Sequence, residues 1–376
     1  MTNGWIESGF NTFLALVRAG LWEREIRLFP FEEGNLKRVH RLAQEQSVVG
    51  LVAAGLEHVQ DVKIPQSVAL SFASATLQIE HRNKAMNKFV AKLMWQLSDA
   101  GVNALLVKGQ GIAQCYERPL WRASGDIDLL LSAEDYERAK KLLMPRACVV
   151  EQEFSTMKHV GLAFEEGFLV ELHGTLHTRL SARVDRLVDS VQDDVLTNGK
   201  VRVWRNGDTD VFIPAPDNDV IFLFTHILHH FYVEGIGLRQ ICDWCRFLWT
   251  YRDSLDRELL EQRLLSMGLM TEWRAFAAMA VDWLGMPAEA MPLYCSSRRW
   301  SRKGERILAF VMECGNFGRN RKGYAAPAKS YVVRKARSLW RKVRDFGRHM
   351  RLFPLDSVRF FWHFFWDGVA TAARGE

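Results

Sequence analysis

The sequence has few cysteines and lacks long uncharged apolar runs, and each absence excludes a class of protein. Six cysteines in 376 residues are too few and too scattered for the disulfide framework of a small secreted domain. No run approaches the roughly 18 apolar residues of a membrane-spanning helix. The amino terminus also lacks the basic and apolar blocks of a secretory signal. We therefore expect a protein of the reducing cytoplasm.

What is present is the composition of a folded chain, and its pattern changes along the sequence. Hydrophobic residues make up 48% and charged residues 25%, which excludes a wholly disordered protein. Helical spacing of apolar residues covers the first hundred residues, and the helical period returns from Pro216 onwards. Between them lie short apolar runs that are typical of strands, at residues 102–107, 126–131, 148–150 and 168–172.

This alternation predicts an α+β fold, in which a mixed sheet with flanking helices is embedded between helical regions at both ends. Four parts are expected: an N-terminal helical region (1–100), an α/β domain (101–215), a helical domain (216–290) and a basic, aromatic-rich C-terminal helical region (291–376).

Two aspartates lie close together in one predicted strand. Asp126 and Asp128 are two residues apart, so the alternation of a strand places both carboxylates on one face. Carboxylates this close repel each other unless a cation lies between them, and oxygen ligands suit Mg²⁺. Two such ions roughly 3.5–4 Å apart can stabilise the attacking and leaving oxygens of a phosphoryl transfer. Glu171, an acid inside a later predicted strand, is the expected third ligand.

Basic residues and a glycine precede this pair. Lys108 and Gly109 directly follow the first predicted strand, where a glycine allows a phosphate to approach the backbone closely. Arg118 and Arg122 lie in the loop between the two strands, and with Lys108 they are cations that could neutralise a triphosphate. Each feature alone also fits an ordinary turn or a surface residue. Their joint order along the chain is what points to nucleotide chemistry.

The order of these motifs resembles the nucleotidyltransferase superfamily that includes DNA polymerase beta. Within it, the sequence is similar to a bacterial family of uncharacterised nucleotidyltransferases. The similarity spans roughly residues 35–250. It lies in residues 106–109, Tyr116, Arg122, residues 125–130 and residues 170–173, and it continues in a helical block with His226, His230 and Asp243.

The resemblance implies a nucleotidyltransferase-type sheet, with the helical domain at residues 216–290 closing the cleft. It implies that three acids act in catalysis and bind Mg²⁺, with Mn²⁺ as the alternative ion: Asp126, Asp128 and Glu171. It also implies a nucleotide-binding set (Lys108, Gly109, Arg122, Gly125) and a substrate-binding set (His173, His226, His230, Asp243).

Histidines and cysteines of the helical domain have spacings that also fit zinc. His226 and His229 are three residues apart, as are Cys242 and Cys245, and His230 is adjacent. Both pairs lie in apolar helical contexts, where a buried cysteine commonly acts as a small hydrophobe. Two alternatives to zinc therefore stand: histidines that contact the substrate, and core histidines hydrogen-bonded to Asp243.

Positive charge is concentrated near the C-terminus. Residues 298–351 hold 17 lysines and arginines against three acids, a net +14, whereas the whole chain carries +6 and the remainder therefore −8. A basic amphipathic helix is predicted at residues 331–349, and aromatic triplets follow at residues 360–362 and 364–366. The region fits an anionic membrane surface, a nucleic acid, or a solvated helix face over a hydrophobic core.

The expected function is Mg²⁺-dependent transfer of a nucleoside monophosphate from an NTP, such as ATP, to an acceptor with release of pyrophosphate. The acceptor stays open among a sugar phosphate, a protein side chain, a small metabolite and an RNA end. A toxin-like modifier of protein or tRNA would share this chemistry. The alternative is a non-catalytic module of the same fold that binds nucleic acid or anionic membrane through residues 298–351. We expect a cytoplasmic location, peripheral at the membrane if the basic region binds lipid.

Overall fold

The structure is a computed structural model that describes residues 7–28, 34–153, 158–318 and 343–362. Contacts within the chain divide it into two units. The first comprises Met1–Leu176 with Val191–Asp219, and the second comprises His177–Ser190 with Val220–Glu376. The division into four parts stays a prediction.

Helices open the first unit, as the apolar spacing predicts. Helix α4 runs for 34 residues because no glycine or proline interrupts it; it follows Pro65 and ends before Gly101, whose φ is +67°. One stripe of this helix, including Phe89 and Leu93, is buried against the sheet core. The four helices are α1 (Glu7–Trp22), α2 (Gly34–Glu45), α3 (Val49–Glu57) and α4 (Gln66–Asp99).

A five-stranded mixed sheet follows, with the order β1-β2-β5-β4-β3. The pair β2/β5 is parallel, and the other neighbouring pairs are antiparallel. The mixed α+β architecture predicted from the sequence is therefore confirmed. The strands are β1 (Ala104–Val107), β2 (Ile127–Leu131), β3 (Val149–Val150), β4 (His159–Ala163) and β5 (Leu169–His173).

Two helices connect the first strands. The short helix α5 (Gly109–Ala113) begins where β1 ends, and α6 (Ala133–Leu143) follows β2. The sequence predicts Ser132 as the N-cap of a helix over residues 133–143, and the Ser132 hydroxyl accepts a hydrogen bond from the backbone N–H of Asp135. Burial of Tyr136 and Leu143 then fixes α6 against the sheet core.

A two-stranded hairpin that the sequence analysis did not predict completes the first unit. Strands β6 (Val201–Asn206) and β7 (Thr209–Pro214) pair antiparallel across a tight turn at Gly207, whose φ is +62°. Val211 and Ile213 of β7 join the core of the sheet. Helix α7 (Ala182–Leu196) precedes the hairpin.

Helices with a strongly aromatic core make up most of the second unit. Phe224, Trp244 and Trp273 are fully buried and contact one another, with ring centroids 4.8–5.6 Å apart. The helices are α8 (Pro216–Val233), α9 (Leu238–Thr250), α10 (Arg257–Met267), α11 (Met270–Leu284) and α12 (Arg298–Cys314), with further helical residues at 343–352 and 354–362.

The predicted basic and aromatic C-terminal features lie partly outside the described residues. Of the basic helix predicted at residues 331–349, only residues 343–349 are described, and they are helical. In the first aromatic triplet, Phe360 is buried against Tyr232 whereas Trp362 is half-exposed. The second triplet, residues 364–366, lies outside the described residues.

Candidate active site

One face of the five-stranded sheet carries the predicted acids. Alternate residues of β2, β4 and β5, among them Leu129 and Leu172, enter the hydrophobic core. Side chains on a strand alternate between faces, so the residues between them project from the opposite face. Those residues include Asp128, Glu171, His173 and His159.

Strand pairing brings these side chains together across the sheet. Asp128 of β2 is the direct partner of Glu171 in the parallel strand β5. His173 of β5 faces His159 of the antiparallel strand β4. Asp126 immediately precedes β2 and lies close enough to Asp128 and Glu171 for their charges to act on it. We call Asp126, Asp128 and Glu171 the carboxylate cluster.

A sharp turn brings Lys108 to the carboxylate cluster. The residue directly follows β1, and its backbone has φ 57° and ψ −142°, a conformation that side-chain-bearing residues rarely adopt. Gly109 continues the turn with φ +39°, and a Cβ there would lie 3.5 Å from the carbonyl oxygen of Asp126. The lysine thus occupies a strained position, which is common at functional sites.

Asp128 is the centre of the hydrogen bonding. Lys108 Nζ donates to its Oδ1 over 2.9 Å, and His173 Nε2 lies 2.8 Å from the same oxygen. His173 Nε2 is also 3.4 Å from Glu171 Oε2, so one imidazole links two acids. The side chain of Asp128 is 5% exposed, which makes these contacts strong.

His159 is a residue of the site that the sequence analysis missed. Its Nε2 lies 3.2 Å from Glu171 Oε2, and its ring centroid is 4.8 Å from that of His173. The signal that could have found it is the alternation of residues 159–163, with Val160 and Leu162 buried. Gly161, which weakens a strand pattern, stands in the middle of it.

The electrostatics separate Asp126 from the other two acids. Repulsion from Asp128, followed by burial and by the Glu171 charge, raises the pKa of Asp126. Burial alone would raise the pKa of Asp128, but the Lys108 ammonium and His173 outweigh it and lower the pKa of that carboxyl. Burial would likewise raise the pKa of Glu171, yet its hydrogen bonds to His159 and His173 hold this pKa far below its ordinary value.

The cationic partners of the acids are stabilised in turn. Burial opposes the charge of Lys108, but Asp128 and Glu171 raise the pKa of its ammonium. Burial also opposes the charge of His173, and its hydrogen bonds to Asp128 and Glu171 raise the pKa of the imidazole. The site therefore holds opposite charges in close contact and shielded from water.

The donor set of the carboxylate cluster fits Mg²⁺. All three side chains offer oxygen, and Mg²⁺ is typically held by one or two carboxylates together with water and phosphate oxygens. Among the described residues, no lysine, arginine or histidine lies within ion-pair distance of Asp126. The raised pKa of this half-buried carboxyl is the expected result of an anionic site that has too little compensating positive charge.

A buried polar network anchors the two loops that carry the site. Asn83 of α4 donates to the carbonyl oxygens of Leu120 and Arg122, over 2.8 and 2.7 Å. The side-chain amide of Gln110, in α5, donates to Asn83 Oδ1 over 3.4 Å and accepts from the Ser124 hydroxyl over 3.1 Å. The loop before β2 and the helix after β1 are therefore tied to the same point on α4.

The loop residues predicted to bind nucleotide take different positions. The side chain of Arg122 is buried, and its Nη1 lies 3.4 Å from the Ala123 carbonyl oxygen and from the Ser124 hydroxyl. Gly125 is exposed and has open space where a Cβ would be. Arg118, a further candidate cation, pairs with Glu23, which directly follows α1, and with Glu57 at the end of α3.

The remaining predicted substrate-binding residues belong to the second unit. His226 and His230 lie on α8 with ring centroids 4.4 Å apart, and Asp243 is buried in α9. Cys242 and Cys245 are fully buried, and burial raises the pKa of both thiols. Among the described residues, the histidines, cysteines and acids that come close enough to share one ion are instead His159, Glu171 and His173.

The mixed sheet thus presents clustered acids beside a lysine–glycine turn. Residues 32–285 match the model of a family described as uncharacterised nucleotidyltransferase, and the chain belongs to that family. Membership supports nucleotidyl transfer as the general activity and a nucleotide as substrate.

Comparison with curated proteins and with solved structures gives no significant match. Among the described helices, none combines the length and the hydropathy needed to cross a membrane.

Proposed function

We propose that the protein is a Mg²⁺-dependent nucleotidyltransferase that moves a nucleoside monophosphate from an NTP to an acceptor oxygen. In this reaction the acceptor oxygen forms a bond to the α-phosphorus, the bond from that phosphorus to the β-phosphate oxygen breaks, and pyrophosphate leaves. Membership of the chain in the superfamily that includes DNA polymerase beta is part of the proposal.

One observation carries the proposal: the direct pairing of Asp128 with Glu171 across two parallel strands, with Asp126 at the start of the first strand. Acids that lie 43 and 45 positions apart in the chain are thereby brought to neighbouring positions at the sheet. Asp126, Asp128 and Glu171 would hold Mg²⁺, with Mn²⁺ as the alternative. The ion would neutralise phosphate charge and stabilise the attacking and leaving oxygens.

Lys108 is assigned to the phosphates. It remains cationic at neutral pH, because the nearby acids raise its pKa against the opposing effect of burial. Its Nζ already lies at the carboxylate cluster, 2.9 Å from Asp128. An ammonium there contributes a compact positive charge to a triphosphate. Gly109 allows the turn that brings the lysine to this point.

Glu171 is assigned to holding and orienting the acceptor side of the site. Hydrogen bonds to His159 and His173 outweigh burial and keep the pKa of its carboxyl low, so it stays ionised. A carboxylate of low basicity is available to a cation at neutral pH and is a poor proton acceptor. Asp126, whose pKa is raised, is the more basic of these groups in the metal-free protein.

The test is NTP binding and turnover with and without Mg²⁺. Isothermal titration calorimetry measures binding of the four NTPs, and mass spectrometry detects transfer to candidate acceptors, including sugar phosphates, RNA and the protein itself. We expect Asp126→Asn and Asp128→Asn to lower transfer by roughly 100-fold or more, because each removes a direct metal ligand.

The matched control is Asp208→Asn, which removes an exposed carboxylate of the β6–β7 turn in the same unit. This variant should retain wild-type binding and transfer. Equal activity in the wild type and in both cluster variants would reject the site. Salt-sensitive binding to a polyanion that survives both substitutions, without Mg²⁺-dependent NTP binding, would favour the non-catalytic module.

A further inference from the structure

We infer that His159, Glu171 and His173 form a second metal position, selective for a transition-metal dication of the Mn²⁺, Co²⁺ or Zn²⁺ class. We call these residues the histidine–glutamate cluster. The inference goes beyond the proposed function, whose Mg²⁺ ligands are all carboxylates. The two positions share Glu171, through which they would be adjacent.

The geometry of the donor atoms carries the inference. His159 Nε2 and His173 Nε2 lie 3.2 and 3.4 Å from the same oxygen, Glu171 Oε2. The ligating atoms of the three residues all lie within 4.8 Å of one another. An ion with bonds of about 2.0–2.2 Å separates its ligand atoms by about 3–3.5 Å. Small side-chain rotations would therefore bring all three donors onto one ion.

The sheet fixes this arrangement in advance. His159 and His173 are direct partners of the antiparallel pair β4/β5, so their side chains leave the same face side by side. Glu171 lies two residues before His173 and therefore projects from that same face. Ligands on paired strands have little conformational freedom to lose when an ion binds, which favours affinity.

The chemistry of the donors sets the metal class. Imidazole nitrogen suits Zn²⁺, Co²⁺ and related ions, whereas Mg²⁺ prefers oxygen donors only. Two nitrogens and one carboxylate oxygen also leave coordination positions open, as in catalytic rather than structural zinc sites. His159 and Glu171 are partly exposed, with 23% and 22% of the side chain accessible, so an ion can reach them.

The experiment titrates the full chain, stripped of metal by chelation, with Co²⁺ alone. Visible absorption and calorimetry report binding, and a competing excess of Mg²⁺ tests selectivity. The wild type should bind Co²⁺ with a visible band that Mg²⁺ does not displace. His159→Ala and His173→Gln should each weaken Co²⁺ binding by at least about tenfold.

The control is His58→Ala, which removes an imidazole paired with a single glutamate, Glu23, at 2.6 Å in the same unit. Its Co²⁺ affinity should equal that of the wild type. Equal Co²⁺ affinity in the wild type and both cluster variants would overturn the inference, since the histidines would then act only as hydrogen-bonding partners of Glu171.

Asp126→Asn separates this inference from the proposed function. It removes a ligand of the carboxylate cluster alone, so Co²⁺ binding should persist while nucleotidyl transfer is lost. If a histidine variant unfolds, pulsed EPR of the Asp126→Asn protein with one equivalent of Mn²⁺ decides, because this variant lacks a ligand of the carboxylate cluster. Nitrogen couplings from two imidazoles support the second position, and their absence overturns it.

Discussion

Asp128 and Glu171 are direct partners in neighbouring parallel strands, and one histidine, His173, lies within 3.4 Å of an oxygen of each. The acids are therefore held at fixed separation by backbone hydrogen bonds, and their charge is offset by a side chain of the same sheet. A site built on paired strands keeps its geometry more firmly than one built on loops.

The linkage between Asp128 and His173 predicts a measurable pKa change in the metal-free protein. Burial lowers the pKa of His173, but the hydrogen bond to Asp128 and then the one to Glu171 raise it overall. Asp128→Asn should therefore lower the His173 pKa, as followed by NMR titration of the imidazole carbons. Asp208→Asn, which removes an exposed carboxylate of the β6–β7 turn, should leave the His173 titration unchanged.

The same linkage has a defined sign in stability. A histidine with a raised folded-state pKa contributes stability that is complete below its unfolded pKa of about 6.5 and is lost as pH rises through the folded pKa. The wild type should thus lose this contribution as pH rises above about 6.5, and Asp128→Asn should show a smaller loss because only Glu171 then raises the His173 pKa by a hydrogen bond. An identical pH dependence of unfolding in both proteins would contradict the pairing.

Two substitutions at Lys108 separate the free-energy cost of its backbone conformation from the contribution of its charge. Lys108→Ala and Lys108→Gly both remove the ion pair with Asp128, but only glycine adopts φ 57° and ψ −142° without strain. We expect the glycine variant to be more stable than the alanine variant by about 1–3 kcal/mol. Denaturant unfolding with equal m-values measures the difference, and equal midpoints would show that the position is unstrained.

Asn83 is predicted to hold the site without touching it. Its buried amide donates to two carbonyl oxygens of the loop before β2. Asn83→Ala removes both hydrogen bonds and leaves the Leu120 carbonyl oxygen without its Asn83 donor, which should cost about 1–3 kcal/mol. Because the loop leads into Asp126, nucleotide affinity should fall as well. The exposed Asn198→Ala, which removes a hydrogen bond to Asp194, should change neither the unfolding midpoint nor affinity.

The local elements of the site were predictable because they carry their own patterns. Strand-length apolar runs gave β1, β2 and β5, and the Asp126/Asp128 spacing indicated a shared face. The N-cap at Ser132 followed from the residue types alone. What could not be predicted is the neighbour of each strand, since nothing in residues 126–131 specifies parallel pairing with residues 169–173.

The other features that the sequence did not predict depend mostly on contacts between residues far apart in the chain. Gln110 and Asn83 meet across 27 residues, and either amide alone is an ordinary polar side chain. His159 was missed because Gly161 interrupts the strand pattern. The β6–β7 hairpin did carry a local signal, the Gly207–Asp208 dipeptide at the centre of the turn, and the sequence analysis overlooked it.

In the second unit, the buried acid Glu272 predicts a pH dependence of stability that arises from a carboxyl with a raised pKa. It is fully buried on α11, and its Oε1 accepts a hydrogen bond from the Tyr232 hydroxyl over 3.1 Å. Burial, and then the Asp356 carboxylate, raises the pKa of Glu272 to about 8. Lys303 lies near enough for its charge to interact with both acids. At neutral pH this glutamate is therefore mostly protonated.

A carboxyl with a raised folded-state pKa binds its proton more tightly in the folded than in the unfolded state. Stability should therefore be greatest below the unfolded pKa of about 4.3 and should fall as pH rises towards 8, by up to about 1.4 kcal/mol per pH unit. Glu272→Gln, which carries no charge at any pH, should flatten this slope and raise stability at pH ~9. Calorimetric unfolding of the second unit between acidic and alkaline buffers measures it. Glu258→Gln, an exposed acid of α10, should retain the wild-type slope, and a wild-type slope in Glu272→Gln would assign the pH dependence to another group.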